Sequence, residues 1–134
     1  MNKIDHIGIA VKDMESANEL FHLLLGKPHY KIEEVAGEKV ATSFFAVGES
    51  KVELLQALDA ESPIAKFIEK RGEGIHHIAF EVDDIYAEIE RLEQQGFTLL
   101  NKEPKKGADH KIIAFLHPKS ANGVLVELCQ SIAG

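Results

Sequence analysis

The sequence predicts an α+β fold built from two copies of one βαβββ module, and three observations carry that reading. The opening Asp5-His6-Ile7-Gly8-Ile9-Ala10-Val11 returns as His76-His77-Ile78-Ala79-Phe80-Glu81-Val82, an offset of 71 residues from position 6 to position 77. Lys51-Val52-Glu53-Leu54-Leu55-Gln56 returns as Leu125-Val126-Glu127-Leu128-Cys129-Gln130, an offset of 74 from position 53 to position 127. Between these ends, each half holds a helical stretch that runs to a glycine, Gly26 or Gly96. Self-similarity at a fixed spacing marks a repeated supersecondary unit, and the small drift in offset places the differences in loops.

Residues 4–11 alternate and are rich in Ile and Val, the pattern of a strand. Asp13 stands where it can cap a helix whose apolar positions Met14, Ala17, Leu20, Phe21, Leu24 and Leu25 recur at spacings of three and four. Gly26 ends that helix. Strands follow near 28–35, 40–47 and 51–57, with Gly48-Glu49-Ser50 as the tight connection between the last two. Ser62-Pro63 opens a short helix through Ile64, Phe67 and Ile68. The second half repeats the order, with a strand over 75–82, a helix from Asp84 to Gln95, and strands near 97–101, 111–116 and 123–130. The chain therefore divides into a first module at 1–58, a linker helix at 59–73 and a second module at 74–134, together one compact domain.

Apolar residues make up 45% of the chain, enough for a buried core. A formal net charge of −7 disfavours nonspecific grip on nucleic acid or an anionic membrane. One cysteine, Cys129, excludes an intrachain disulfide and suits a reducing compartment. The start lacks a secretory pattern and no run approaches the ~20 apolar residues that span a bilayer. The expected location is the cytoplasm.

Side chains alternate between the two faces of a strand. Ile7, Ile9 and Val11 share the face suited to the helix, so His6, Gly8 and Ala10 point the other way. Ile78, Phe80 and Val82 likewise leave His77, Ala79 and Glu81 on the opposite face, which selects His77 over His76. Val52 and Leu54 leave Glu53, and Val126 and Leu128 leave Glu127, on the side away from the core. A lone strand histidine is ordinarily a satisfied polar group, and a lone edge glutamate is ordinarily solvated. Here two imidazoles and two carboxylates recur at repeat-matched positions and can face one concavity. Such a mixed nitrogen and oxygen set suits a divalent metal with positions open for water or substrate.

The HIGIAV and HHIAFEV segments, the VELLQ and VELCQ endings and the duplicated order resemble the vicinal oxygen chelate (glyoxalase-like) superfamily over almost the whole chain. Within it, Asp59 to Phe67, Gly74 to Ile78, Phe115-Leu116-His117-Pro118-Lys119 and Gly123 to Leu128 are most similar to the methylmalonyl-CoA epimerases. The resemblance implies a concave, half-barrel mixed sheet with the helices outside, and His6, Glu53, His77 and Glu127 as ligands of cobalt, manganese, nickel, magnesium or zinc. It implies interconversion of R and S methylmalonyl-CoA through an enolate, by proton transfer on opposite faces of the acidic carbon. Glu127 is the expected proton-handling residue. Family members can carry a second glutamate in the third strand, where this chain has Thr42.

Lys119 and His117, between two strands, are candidate contacts for the acyl-CoA substrate. Lys102, Lys105, Lys106, Lys111 and His110 form a basic patch around Gly107, read either as a solvated loop or as a phosphate-facing rim. Cys129 is expected as a packing residue, His22 and His29 as exposed, and Gln56 and Gln130 on the core side. The competing functions are a lactoylglutathione lyase of the glyoxalase I type and a non-catalytic small-molecule binder of the same fold. A homodimer is expected by resemblance.

Overall fold

A computed structural model describes residues 1–132, an α+β fold in which eight strands and three α-helices follow in the order expected for a duplicated βαβββ module. The strands are β1 (Lys3–Ala10), β2 (Lys31–Val35), β3 (Val40–Val47), β4 (Ser50–Ala57), β5 (Gly74–Glu81), β6 (Lys105–Lys106), β7 (Lys111–Leu116) and β8 (Val126–Ser131). The helices are α1 (Met14–Leu25), α2 (Pro63–Arg71) and α3 (Ile85–Gln94). The residues gather into two compact units, His6–His76 on one hand and Met1–Asp5 with the chain from His77 onward on the other. No helix among the described residues is long and apolar enough to cross a membrane.

In the unit His6–His76 the strand order is β2-β3-β4-β1. The first and last strands of the module, β1 and β4, run parallel with Gly8 opposite Glu53, while β3 is antiparallel to both β2 and β4. Ile9, Val11, Val52 and Leu54 pack with Ala41 and Phe45 against Met14, Ala17, Phe21 and Leu25 of α1. The other face of the same strands carries a smaller cluster, Ala10, Val40 and Leu55, closed at one end by Ile64, Phe67 and Ile68 of α2. In the second unit β5 and β8 are parallel with Ala79 opposite Glu127, and β7 is antiparallel to β8. Val82, Ile85, Ile89, Leu92 and Leu128 form its main core with α3. The alternation deduced for β1, β4, β5 and β8 therefore holds.

Each module starts its helix in the same way. Asp13 accepts from the Ser16 N–H and hydroxyl, which hold its carboxyl below the usual range, hydroxyl first and N–H second. Asp84 accepts from the N–H groups of Tyr86 and Ala87 at 3.1 and 3.2 Å. The glutamine one residue before the end of the last strand supplies a second acceptor: Gln56 takes the Met14 N–H at 2.5 Å and Gln130 takes the Ile85 N–H at 2.8 Å. Of the donors that a helix start leaves unpaired, two in α1 and three in α3 are thus satisfied by repeat-matched residues.

Two expectations need correction. The buried stripe of α1 is narrower than its apolar spacing suggested, because Leu20, Leu23 and Leu24 are 57%, 83% and 67% exposed. At about 100° per residue, Met14, Ala17, Phe21 and Leu25 already fill the arc facing the sheet, and Leu20 and Leu24 fall beside it. Nor is 97–101 a full strand. Only Leu99 bridges Leu116, and the short β6 pairs with β7 instead. The Asn101 side chain takes over the ladder there, accepting from the Phe115 N–H at 2.9 Å and donating to the Ile113 carbonyl at 3.3 Å. Pro104, which has no N–H, then stands just before β6.

Replacing Asp84 removes the acceptor for two N–H groups of α3. Asp84→Ala should lower unfolding stability by about 1 kcal/mol with an unchanged urea m-value; an unchanged urea midpoint would show that Gln130 alone suffices.

Candidate functional site

Each module presents one buried imidazole–carboxylate pair. In the first, His6 Nδ1 lies 3.1 Å from Glu53 Oε2; in the second, His77 Nε2 lies 3.2 Å from Glu127 Oε1. All four side chains are 6% exposed. The parallel pairing of first and last strands produces this geometry. The residue opposite each glutamate is small, Gly8 for Glu53 and Ala79 for Glu127, and the histidine stands two residues before it on the same face. His76 turns the other way and packs edge-on against Phe67, ring centroids 5.0 Å apart.

An aromatic residue that sequence reasoning passed over completes each pair. Phe44 lies directly across from Glu53 and Phe115 directly across from Glu127. The Phe115 ring meets the His77 ring edge to face at 6.0 Å. The match at 44 and 115 repeats the offset of 71 seen for the histidines, a signal that was available in the sequence.

The donor set fits a divalent ion. Two ligands each about 2.0–2.2 Å from one cation stand about 3 Å apart, close to the spacing within each pair. Burying a carboxylate or imidazole costs several kcal/mol unless it is paired or coordinated. Within each pair the imidazole and carboxylate already offset part of that cost for one another, and three of these side chains, His6, His77 and Glu127, bring ligand atoms within 4.8 Å of one another, a grouping that could hold a cation.

Other expected positions separate clearly. Thr42 is 2% exposed, on the same face as Glu53, and stands opposite Leu55 on one side and Glu33 on the other. His117 is half-buried at the start of a 3-10 turn, Pro118–Ala121, where its Nδ1 accepts from the Lys119 N–H at 3.1 Å. Lys119 is exposed. Cys129 is buried beside Ala79 and Ile113 and donates to the Phe80 carbonyl, a packing role. His29 is not exposed as expected but half-buried, 6.0 Å from the Phe45 ring. The basic patch also loses a member. Lys111 is 7% exposed, with Nζ 3.5 Å from Asp5 and 3.1 Å from the Ser131 hydroxyl, while Lys105 and Lys106 stay exposed.

Over residues 5–115 the chain matches the family model described as the Glyoxalase/Bleomycin resistance protein/Dioxygenase superfamily, and it belongs to that superfamily. It is 42% identical over 132 residues to the ethylmalonyl-CoA/methylmalonyl-CoA epimerase of Cereibacter sphaeroides, covering 97% of this chain and 98% of that one. The solved methylmalonyl-CoA epimerase of Mycobacterium tuberculosis superposes with a TM-score of 0.92 at 37% identity, over 97% of this chain and 88% of the other. A methylmalonyl-CoA epimerase solved in complex with methylmalonyl-CoA and NH4+ superposes with a TM-score of 0.94 at 34% identity, over 99% and 96%.

The Asp5–Lys111 pair is buried enough to be costly to break on one side only. Lys111→Met should destabilise the fold by about 3–5 kcal/mol in urea unfolding, and joint replacement of Asp5 by Leu should recover much of that loss. A single variant as stable as the wild type would contradict the pairing.

Proposed function

We propose that this chain is a methylmalonyl-CoA epimerase that interconverts the R and S forms of its substrate through an enolate. The observation that carries the reading is the duplicated buried His–Glu pair in a chain 42% identical, over nearly its full length, to an epimerase acting on that class of thioester. We assign His6, Glu53, His77 and Glu127 as ligands of one divalent cation, of the cobalt, manganese, nickel, magnesium or zinc group. Matched burial, matched spacing and the chemistry of the donors support that assignment.

A bound cation would supply positive charge where the thioester oxygen gains negative charge as the acidic carbon loses its proton. The protein's own residues do the rest. The imidazoles and carboxylates fix the position of that charge. Their burial excludes water that would screen it. Glu127 handles a proton at the carbon between the carboxylate and the thioester, and Phe44 and Phe115 wall the glutamates with apolar surface. Lys119 and His117 contact the acyl-CoA, an assignment supported by the exposed ammonium held on the turn that His117 starts. We further assign the chain as a cytoplasmic homodimer; the exposed Leu20, Leu23 and Leu24 support self-association, since a contiguous apolar stripe is costly in water.

In deuterated solvent the metal-loaded chain should exchange the α-proton of methylmalonyl-CoA and leave the methylglyoxal–glutathione thiohemiacetal untouched. Chelation should abolish the exchange, and Glu127→Gln should slow interconversion of the two epimers by roughly 10²–10⁴-fold. Turnover of the thiohemiacetal alone would replace this reading with a lyase. Sedimentation equilibrium should give twice the chain mass; the monomer mass would remove the dimer.

A further inference from the structure

Inversion at a carbon needs a proton removed from one side and delivered to the other, so an epimerase needs a second proton-transferring group beside Glu127. Residue 42, in the middle of β3, is a threonine and does not supply a carboxylate. The strand register supplies one from its neighbour. Glu33 of β2 stands directly opposite Thr42, which in turn stands opposite Leu55 of β4. One pair along, Lys31, Phe44 and Glu53 form the adjacent row on the same strands.

Alternation therefore puts Glu33 on the face that carries Glu53. Burial agrees: Lys31, Glu33 and Val35 are partly buried, whereas Ile32 and Glu34 on the opposite face are exposed. Among the described residues of β1 to β4, the carboxylates that share this face are Glu53 and Glu33. Thr42 between them is short, so the longer Glu33 side chain can lean across it. Neighbouring strands lie about 4.8 Å apart, which sets β2 about 10 Å from β4. Lys31 Nζ, 4.7 Å above the Phe44 ring and 3.5 Å from Glu33 Oε1, pairs with the carboxylate over β3.

We infer that Glu33, reaching over Thr42, is the second proton-transferring residue of the reaction, acting on the face of the substrate carbon opposite Glu127. This rests on the epimerase reading. In one direction the Glu33 carboxylate takes the α-proton. The C–H electron pair stays on carbon and spreads onto the thioester oxygen, and Glu33 becomes a neutral acid. Protonated Glu127 then forms the new C–H bond from the other side. The reverse direction exchanges the two roles, and solvent restores both protonation states.

The test is deuterium uptake at the α-carbon by the metal-loaded chain, started separately from each pure epimer. The wild type should exchange both. Glu33→Gln should lose exchange from one epimer by at least 100-fold while the other still exchanges, without inversion, through Glu127. Added formate should restore the lost exchange in Glu33→Ala. Equal rates from both epimers in Glu33→Gln, or an equal fall in both, would overturn the assignment of Glu33 while leaving the epimerase reading intact. A wild type that exchanges neither epimer would overturn both.

Discussion

In each module the first and last strands run parallel in a register that sets a residue with almost no side chain opposite a buried glutamate: Gly8 across from Glu53, Ala79 across from Glu127. That pairing is the constraint on which the rest depends. It clears space over the carboxylate, and it brings the histidine two residues earlier to hydrogen-bonding distance. Shifting either strand by one residue would turn the histidine or the glutamate into the helix-facing core, where Ile9 and Leu54 or Val82 and Leu128 now pack. The hydrophobic pattern therefore specifies the polar pair as strictly as it specifies the core. The helix caps follow the same logic, since Gln56 and Gln130 belong to the same last strands and tie them to the starts of α1 and α3.

Much of this was legible in the chain because period-two alternation and duplication speak about faces. The four polar residues, the choice of His77 over His76 and the Asp13 cap all follow from local pattern. The misses have a common origin in tertiary arrangement. How much of an amphipathic helix is covered depends on the width of what covers it, so Leu20 and Leu24 could not be told from Phe21 by spacing. The Asn101 amide replaces backbone ladder bonds with side-chain ones, which no strand propensity registers. Lys111 looks like its basic neighbours until Asp5, more than a hundred residues away, is brought beside it. Glu33 was invisible as a candidate because its significance lies in a cross-strand register rather than in its neighbours along the chain.

The same physical economy links fold to chemistry. Buried imidazoles and carboxylates are unfavourable unless something compensates them, and the cation we propose would both offset that burial and set positive charge where an enolate forms. Apolar walls from Phe44 and Phe115 lower the local dielectric and strengthen that effect. Duplication supplies two copies of the pair from one solution to the packing problem, and divergence is left to the flanking positions, such as Thr42 against Ile113, which take equivalent places beside the phenylalanines.

We propose that both modules contribute to a single cation, and X-ray absorption of the cobalt-loaded chain tests that proposal. One cobalt per chain with two imidazole ligands is expected, falling to one imidazole in either His6→Ala or His77→Ala. A shell without imidazole, or two cobalt ions per chain that each keep a single histidine, would contradict it.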